Sequence, residues 1–326
     1  MLWICRVAVF SLICCCLAVP LSAEDTFPNA RKPATDEELK YWLENMSLYH
    51  HYSLDEMQQA TGLSKPEIKS ALKRFELQER LAPERKPADI LTVKPYPGGR
   101  HPRIGFLEGA INPQRETKIS VFAPWDPDSY VVLDIPEAIW SNLGLTYLAH
   151  THVPTIWTQQ NKELPPQEWS VYLDGSMVAR RRLPNGIEFG TIVLPLQKAV
   201  LMEMWLKNGT DEPLSKLRVQ NCAMLKMMDG FTQQSNDNKV FRAPYAACRS
   251  AKGNHWVIMG WTPCFKAWGN QKCPCLHSDP IFPDCPPGEI KRVYGILTFY
   301  TGTDIEGEFK QLEKENWKKY LMERTF

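Results

Sequence analysis

The chain has no excess of either charge. Its 38 Lys and Arg stand against 37 Asp and Glu in 326 residues, so no global field draws it to nucleic acid or to an anionic membrane, and partners must be read from local sites. Gly-x-Ser-x-Gly, His-Glu-x-x-His and the phosphate-binding loop are all missing, which removes the commonest hydrolase, metalloprotease and nucleotide signatures. There is no Cys-x-x-Cys and no Cys-x-x-Cys-His, so dithiol redox chemistry and attached haem lose support. Beyond the N-terminal leader, no run is apolar enough to span a bilayer.

The leader itself is informative. Arg6 precedes an apolar run from Val7 to Leu21, then come the small residues Ser22 and Ala23, then Glu24-Asp25. This pattern predicts a signal peptide over 1–23 and an exported protein, periplasmic or secreted, with no membrane span in the mature chain; an uncleaved anchor is the alternative. Export favours disulfides. Four of the ten cysteines lie in the leader, leaving Cys222, Cys248, Cys264, Cys273, Cys275 and Cys285 as an even set.

What is abundant is proline and tryptophan, 26 and 11 residues, which favour short strands and turns over a helical bundle. From 35 to 81 the pattern is nonetheless helical. Leu39, Trp42, Leu43 and Met46 recur at helical spacing, and Ser53 with Glu56 reads as a capping box. Ser64 precedes a third helix with Pro66 in its first turn and Ile68, Ala71, Leu72 and Phe75 as its buried stripe. The segment from Ser53 to Lys73 resembles the helix-turn-helix of transcription regulators. Its third helix offers Lys65, Lys69, Lys73 and Arg74 against Glu67 and Glu76, a poor set for base edges, so a packing module without nucleic-acid binding is expected.

Residues 82–103 read as a proline- and glycine-rich linker, with Arg100, His101 and Arg103 beside Gly98-Gly99 as a possible anion contact. Beyond it, β-branched and aromatic runs recur at 118–122, 130–135, 145–152, 186–194, 199–206, 217–225, 255–261 and 292–300. The prediction is a mainly antiparallel β-sandwich over 104–302, with a Cys-rich loop at 264–288. The small three-helix module precedes it and an amphipathic helix over 303–326 closes it, carrying Phe309, Leu312, Tyr320 and Leu321. Asn208-Gly209-Thr210-Asp211 reads as a tight turn joining two strands, and Asn185-Gly186 as a second.

Val200-Leu-Met-Glu-Met-Trp-Leu-Lys-Asn-Gly-Thr-Asp-Glu-Pro-Leu-Ser-Lys-Leu-Arg-Val-Gln-Asn221 resembles the strand–turn–strand of galactose-mutarotase-like sandwiches (supersandwich folds). The resemblance implies a sugar-handling fold in which histidines and a glutamate serve as acid and base. His150, His152 and Glu203 are residues of those types, and no motif assigns them the roles. The whole chain also resembles a family of exported bacterial proteins that join such a helical module to the same Cys-Pro-Cys-Leu-His-Ser-Asp-Pro segment, a likeness that carries no activity.

Chemistry-bearing residues fall into three groups. His150 and His152, placed on one face by strand alternation roughly 7 Å apart, can hold a zinc or copper ion if His277 and Asp279 complete the set; alternatively they bind sugar hydroxyls or shuttle a proton, or serve structural hydrogen bonds. The six cysteines are expected to form three disulfides, with a metal or reactive thiols as alternatives; Cys273-Pro-Cys275 is too tight for a zinc knuckle. Asn221, Asn238 and Lys239 supply the donors and acceptors a sugar needs, against the plainer reading of polar surface loops. Three functions follow. The first is carbohydrate binding or processing by His150, His152, Asn221, Asn238 and Lys239. The others are a metal protein built on His150, His152, His277 and Asp279, and a non-catalytic envelope interaction protein.

Overall fold

The computed structural model describes residues 27–105, 111–112, 114–150 and 152–323. The leader and its four cysteines lie outside the described residues.

The chain enters through the helical module: α1 (Asp36–Glu44), a π-helical turn (Asn45–Tyr49), α2 (Leu54–Thr61) and α3 (Lys65–Arg74). Both capping boxes form, Ser53 with Glu56 and Ser64 with Glu67, because each serine and glutamate satisfies amides that the first turn leaves open. Trp42, Leu43, Met46, Met57 and Ile68 make a core for the module alone.

The strands are β1 (Val93–Pro95), β2 (Lys118–Ala123), β3 (Asp126–Ser141), β4 (Gly144–Leu148), β5 (Ser170–Val171), β6 (Met177–Arg182), β7 (Glu188–Pro195) and β8 (Ala199–Lys207). They continue with β9 (Arg218–Met224), β10 (Lys239–Arg242), β11 (Tyr245–Arg249), β12 (His255–Thr262), β13 (Cys264–Trp268), β14 (Cys275–Pro280) and β15 (Ile290–Thr301). One sheet runs β1-β2-β3-β9-β14-β13 with β4 also on β3; the other runs β10-β11-β12-β15-β8-β7-β6-β5. Every pairing is antiparallel, as in the predicted sandwich. The core lies between them, where Ile119, Leu133, Val219 and Ala223 of one sheet meet Met202, Met204, Val257 and Trp261 of the other.

The outer face of the first sheet carries the helical module. His50 joins Asn45 O at 3.0 Å to Ser120 Oγ of β2 at 2.7 Å, Asn45 donates to Pro95 O and Tyr52 to Gly98 O. The outer face of the second sheet is covered at one end by α4 (Ile305–Lys314) and α5 (Trp317–Met322), whose Phe309, Leu312, Trp317 and Leu321 bury Leu194, Leu201 and Ile296.

Four local expectations are corrected. Strand β4 stops at Leu148, so His150 and His152 follow it rather than alternate along it. The Cys-rich segment holds the β13–β14 hairpin instead of an irregular loop. The Asn208 turn carries the chain from β8 in one sheet to β9 in the other and is no hairpin; the Asn208 amide holds it by donating to Glu212 O and Cys285 O. The closing helix breaks at Asn316, which adopts a left-handed φ of 45°, leaving Tyr320 43% exposed and burying Trp317 instead.

Candidate functional site

Strand alternation sends Lys118 of β2, Asp134 of β3 and Cys222 of β9, opposite one another in register, to the outer face of the first sheet. Lys118 Nζ lies 3.0 Å from Asp134 Oδ2 with both side chains fully buried. Just beyond Asp134 the register between β3 and β9 shifts, and Glu137 becomes the hub of a buried network. Arg103 Nη2 donates to Glu137 Oε1 at 2.7 Å, His150 Nε2 lies 2.8 Å from the same oxygen, and Gln220 Nε2 donates to Oε2 at 2.8 Å. His277 Nδ1 sits 4.0 Å from Oε2. Burial pushes the Glu137 carboxyl up, but Arg103, His150 and His277 outweigh it and hold it well below the usual carboxylate range.

From this hub a chain runs outward. His150, buried, meets His152, exposed, with Nδ1 to Nδ1 at 2.6 Å and rings stacked at 4.4 Å. One of the two nitrogens donates and the other accepts, so a proton can pass between them. His150 also lines a cavity of about 320 Å³ with Glu116, Tyr147, Trp157 and Arg181.

His277, on β14, is fixed from three sides. Its Nδ1 lies 2.8 Å from Asn221 O, its Nε2 3.4 Å from Cys275 Sγ, and its ring stacks on Trp268 at 3.9 Å. Burial pulls its imidazole down, but Cys222, Glu137 and Asp279 together raise it above the ordinary value. Asp279 turns away, accepting from Trp268 Nε1 at 2.6 Å and from the Asn221 amide N–H at 3.2 Å; burial pushes its carboxyl up to about 6. The predicted metal set is therefore split: His150 and His277 face one carboxylate, His152 reaches it only through His150, and Asp279 is engaged elsewhere. Among the described residues, the donors that do converge are Cys222, Cys275 and His277, all within 4.8 Å of one another.

All six described cysteines are free thiols, where three disulfides were expected. Cys264 contacts Ser278 Oγ and Cys285 contacts Glu289 O, while Asn238 donates to Cys248 Sγ at 3.2 Å. Lys239 is spent on Asn236 Oδ1, Asn270 O and Cys273 O. Asn221 sits between Val219 and Ala223 of the inner face, its side-chain carboxamide fully buried with no hydrogen bond. Of the five residues expected to line a sugar site, His150 and His152 lie together beside Glu137, Asn221 faces the inner side of its sheet, and Asn238 and Lys239 lie at the start of β10.

An open site lies instead on the outer face of the second sheet. Register sets Arg180 opposite Gly190, Gly190 opposite Trp205, and Trp205 opposite Arg292. A Cβ at Gly190 would fall 2.7 Å from Trp205 Cζ2, so only glycine lets the indole lie across β7. Arg292 Nε donates to Glu203 Oε1 at 2.8 Å and Arg180 pairs with Glu188. Burial raises the Glu203 carboxyl against the pull of Arg292. These residues, with Tyr294, Tyr172 and Lys207, line a groove of about 1240 Å³ bounded by Leu321 and Met322 of α5. Glu203 and the histidines belong to different sheets. Alternation along β8 could have revealed the groove from sequence, since Glu203, Trp205 and Lys207 share one face.

No protein-family model and no curated protein matches the chain. Among solved structures, similarity extends to the Slr1438 protein from Synechocystis sp. PCC 6803, with 11% identity and TM-score 0.33 over 57% of this chain and 88% of that one. A candidate aldose 1-epimerase from Klebsiella pneumoniae subsp. pneumoniae MGH 78578 matches at 8% identity and TM-score 0.31, over 55% and 64%. Heparan sulfate lyase HepC from Pedobacter heparinus matches at 10% identity and TM-score 0.34, over 72% of this chain and 39% of the lyase. Among the described residues no helix is long and apolar enough to cross a membrane.

Proposed function

We propose that the chain is an exported β-sandwich protein that binds carbohydrate in the groove around Trp205. The observation that carries this reading is the indole laid across a glycine strand between Arg180 and Arg292 in an open groove. An aromatic face stacks on the C–H face of a sugar ring, and carboxylate–guanidinium pairs offer acceptors and donors to its hydroxyls. Titration of glycans selected on an array is expected to show at least one ligand whose affinity falls tenfold or more in Trp205→Ala, about 1.4 kcal/mol. Equal affinity in the variant, or an array with no binder, would overturn the proposal.

Processing as well as binding is favoured by the Glu137–His150–His152 chain at the 320 Å³ cavity. A carboxylate-oriented imidazole with a path to the surface suits general acid–base work, typically a 10²–10⁴-fold effect. Chemical turnover of a bound glycan that His150→Ala leaves undiminished would remove this second reading.

A further inference from the structure

We infer that Cys222, Cys275 and His277 bind a thiophilic d10 metal ion, zinc or cuprous copper, which ties the β13–β14 hairpin to β9. The three donor atoms lie within 4.8 Å of one another. The 3.4 Å between Cys275 Sγ and His277 Nε2 is close to the roughly 3.5 Å edge of a tetrahedron built with Zn–S about 2.3 Å and Zn–N about 2.0 Å. Sulfur and imidazole are the donors such ions prefer.

The surroundings favour a metal over a Cys222–Cys275 disulfide. His277 Nδ1 is held by the carbonyl of Asn221 at 2.8 Å, which fixes the proton there and leaves the Nε2 lone pair facing sulfur. That is the outer-shell arrangement of a metal-bound histidine, and a disulfide has no use for it. Arg103 Nη2 donates to Cys222 Sγ at 3.2 Å, a contact suited to a thiolate. Trp268 covers the open face of the ring. Cys222, Cys275 and His277 are at most 2% exposed, so the ion would be closed off as in structural sites. Cys273, also buried, lies two residues before Cys275 and stands outside this three-donor set. The knuckle spacing that counts against Cys273-Pro-Cys275 does not apply, because Cys222 arrives from another strand. Binding displaces one proton from each thiol that ligates.

The reduced full chain, reconstituted separately with zinc and with cuprous copper, is expected to retain one chelator-sensitive ion per chain by native mass spectrometry. Cobalt substitution should give a near-ultraviolet thiolate-to-metal absorption that zinc abolishes, and this reads sulfur coordination without any variant. Cys222→Ser and His277→Ala should lose the ion, while Cys264→Ala and His152→Ala keep it. Less than about a tenth of an equivalent of both metals on reduced protein, or a Cys222–Cys275 disulfide in protein exported with both metals supplied, would overturn the inference. Glycan binding at Trp205 reports on a different sheet and stands or falls separately.

Discussion

The two outer faces of the sandwich handle polar groups in opposite ways. On the first sheet, charges lie under the helical module and the Arg100–Arg103 arm, and they satisfy one another. Glu137 collects Arg103, His150 and Gln220, and Lys118 meets Asp134 with neither exposed. On the second sheet, α4 and α5 cover only the apolar rows through Leu201 and Ile296, and the next rows set Trp205, Tyr294 and Arg292 along an open groove, with Glu203 buried beneath Arg292. Polar groups that are buried and mutually paired serve structure or a bound ion unless, as His150 does, they also line a cavity, whereas groups in an open groove remain available to a ligand. The distinction separates a site that must be completed from one that is ready.

The sharpest break in that contrast is Glu137→Ala. Removing one partner of a buried ion pair typically costs about 3–5 kcal/mol, because the remaining charge loses its compensation. Denaturant unfolding should show a loss of that size, with binding at the Trp205 groove unchanged under native conditions. A loss below about 1 kcal/mol would place the pair with exposed ion pairs and dissolve the comparison.

The pH dependence of stability sharpens it further. Burial pulls His50 down to about 3, with Arg100 and Lys94 acting in the same direction and the Asn45 carbonyl against. Between pH 6.5 and 3 the unfolded chain therefore binds a proton that the folded chain refuses. His50's contribution is complete above 6.5 and is lost as pH falls, with a slope approaching about 1.4 kcal/mol per unit. His50→Gln should flatten stability between pH 6.5 and 5, above the range of ordinary carboxylates. An unchanged slope would mean that the contact between the module and β2 does not depend on a neutral imidazole.

Much of the fold was legible because most long strands are runs of β-branched and aromatic residues bounded by turn residues. Each predicted β-run overlaps a strand, the Ser53–Glu56 capping box forms, and Ser64 caps the third helix. The misses have physical causes. Strand β6 hid behind Arg180-Arg181-Arg182, where one arginine turns inward to Glu116 while its neighbours face the groove side. The β13–β14 hairpin was masked by cysteine and proline, which read as a loop although the residues between Cys275 and Pro280 are all buried. The site was less legible because it depends on register. Glu137 stood out only as a charge within Val131-Val-Leu-Asp-Ile-Pro-Glu-Ala-Ile, and its three donors come from positions 103, 150 and 220. Likewise Cys222 meets Cys275 only because β9 pairs with β14, while Asn221, one residue away, alternates inward.

The smallest effect tests whether the covered face behaves as one unit with its cover. Ser53 caps α2 through a complete capping box, and replacing such a serine by alanine costs about 1 kcal/mol. The helical module has its own core, yet it is fastened to the sheet by His50, Asn45, Tyr52 and the Arg100–Glu56 pair. If those contacts couple the two, Ser53→Ala lowers one shared unfolding transition and leaves the ion and the groove unaltered. If the module melts separately, a first transition shifts alone, as heat-capacity traces of the two proteins would reveal. The buried polar network of the first sheet would then be uncovered before the sandwich unfolds, and the two faces would differ in what covers them more than in what they contain.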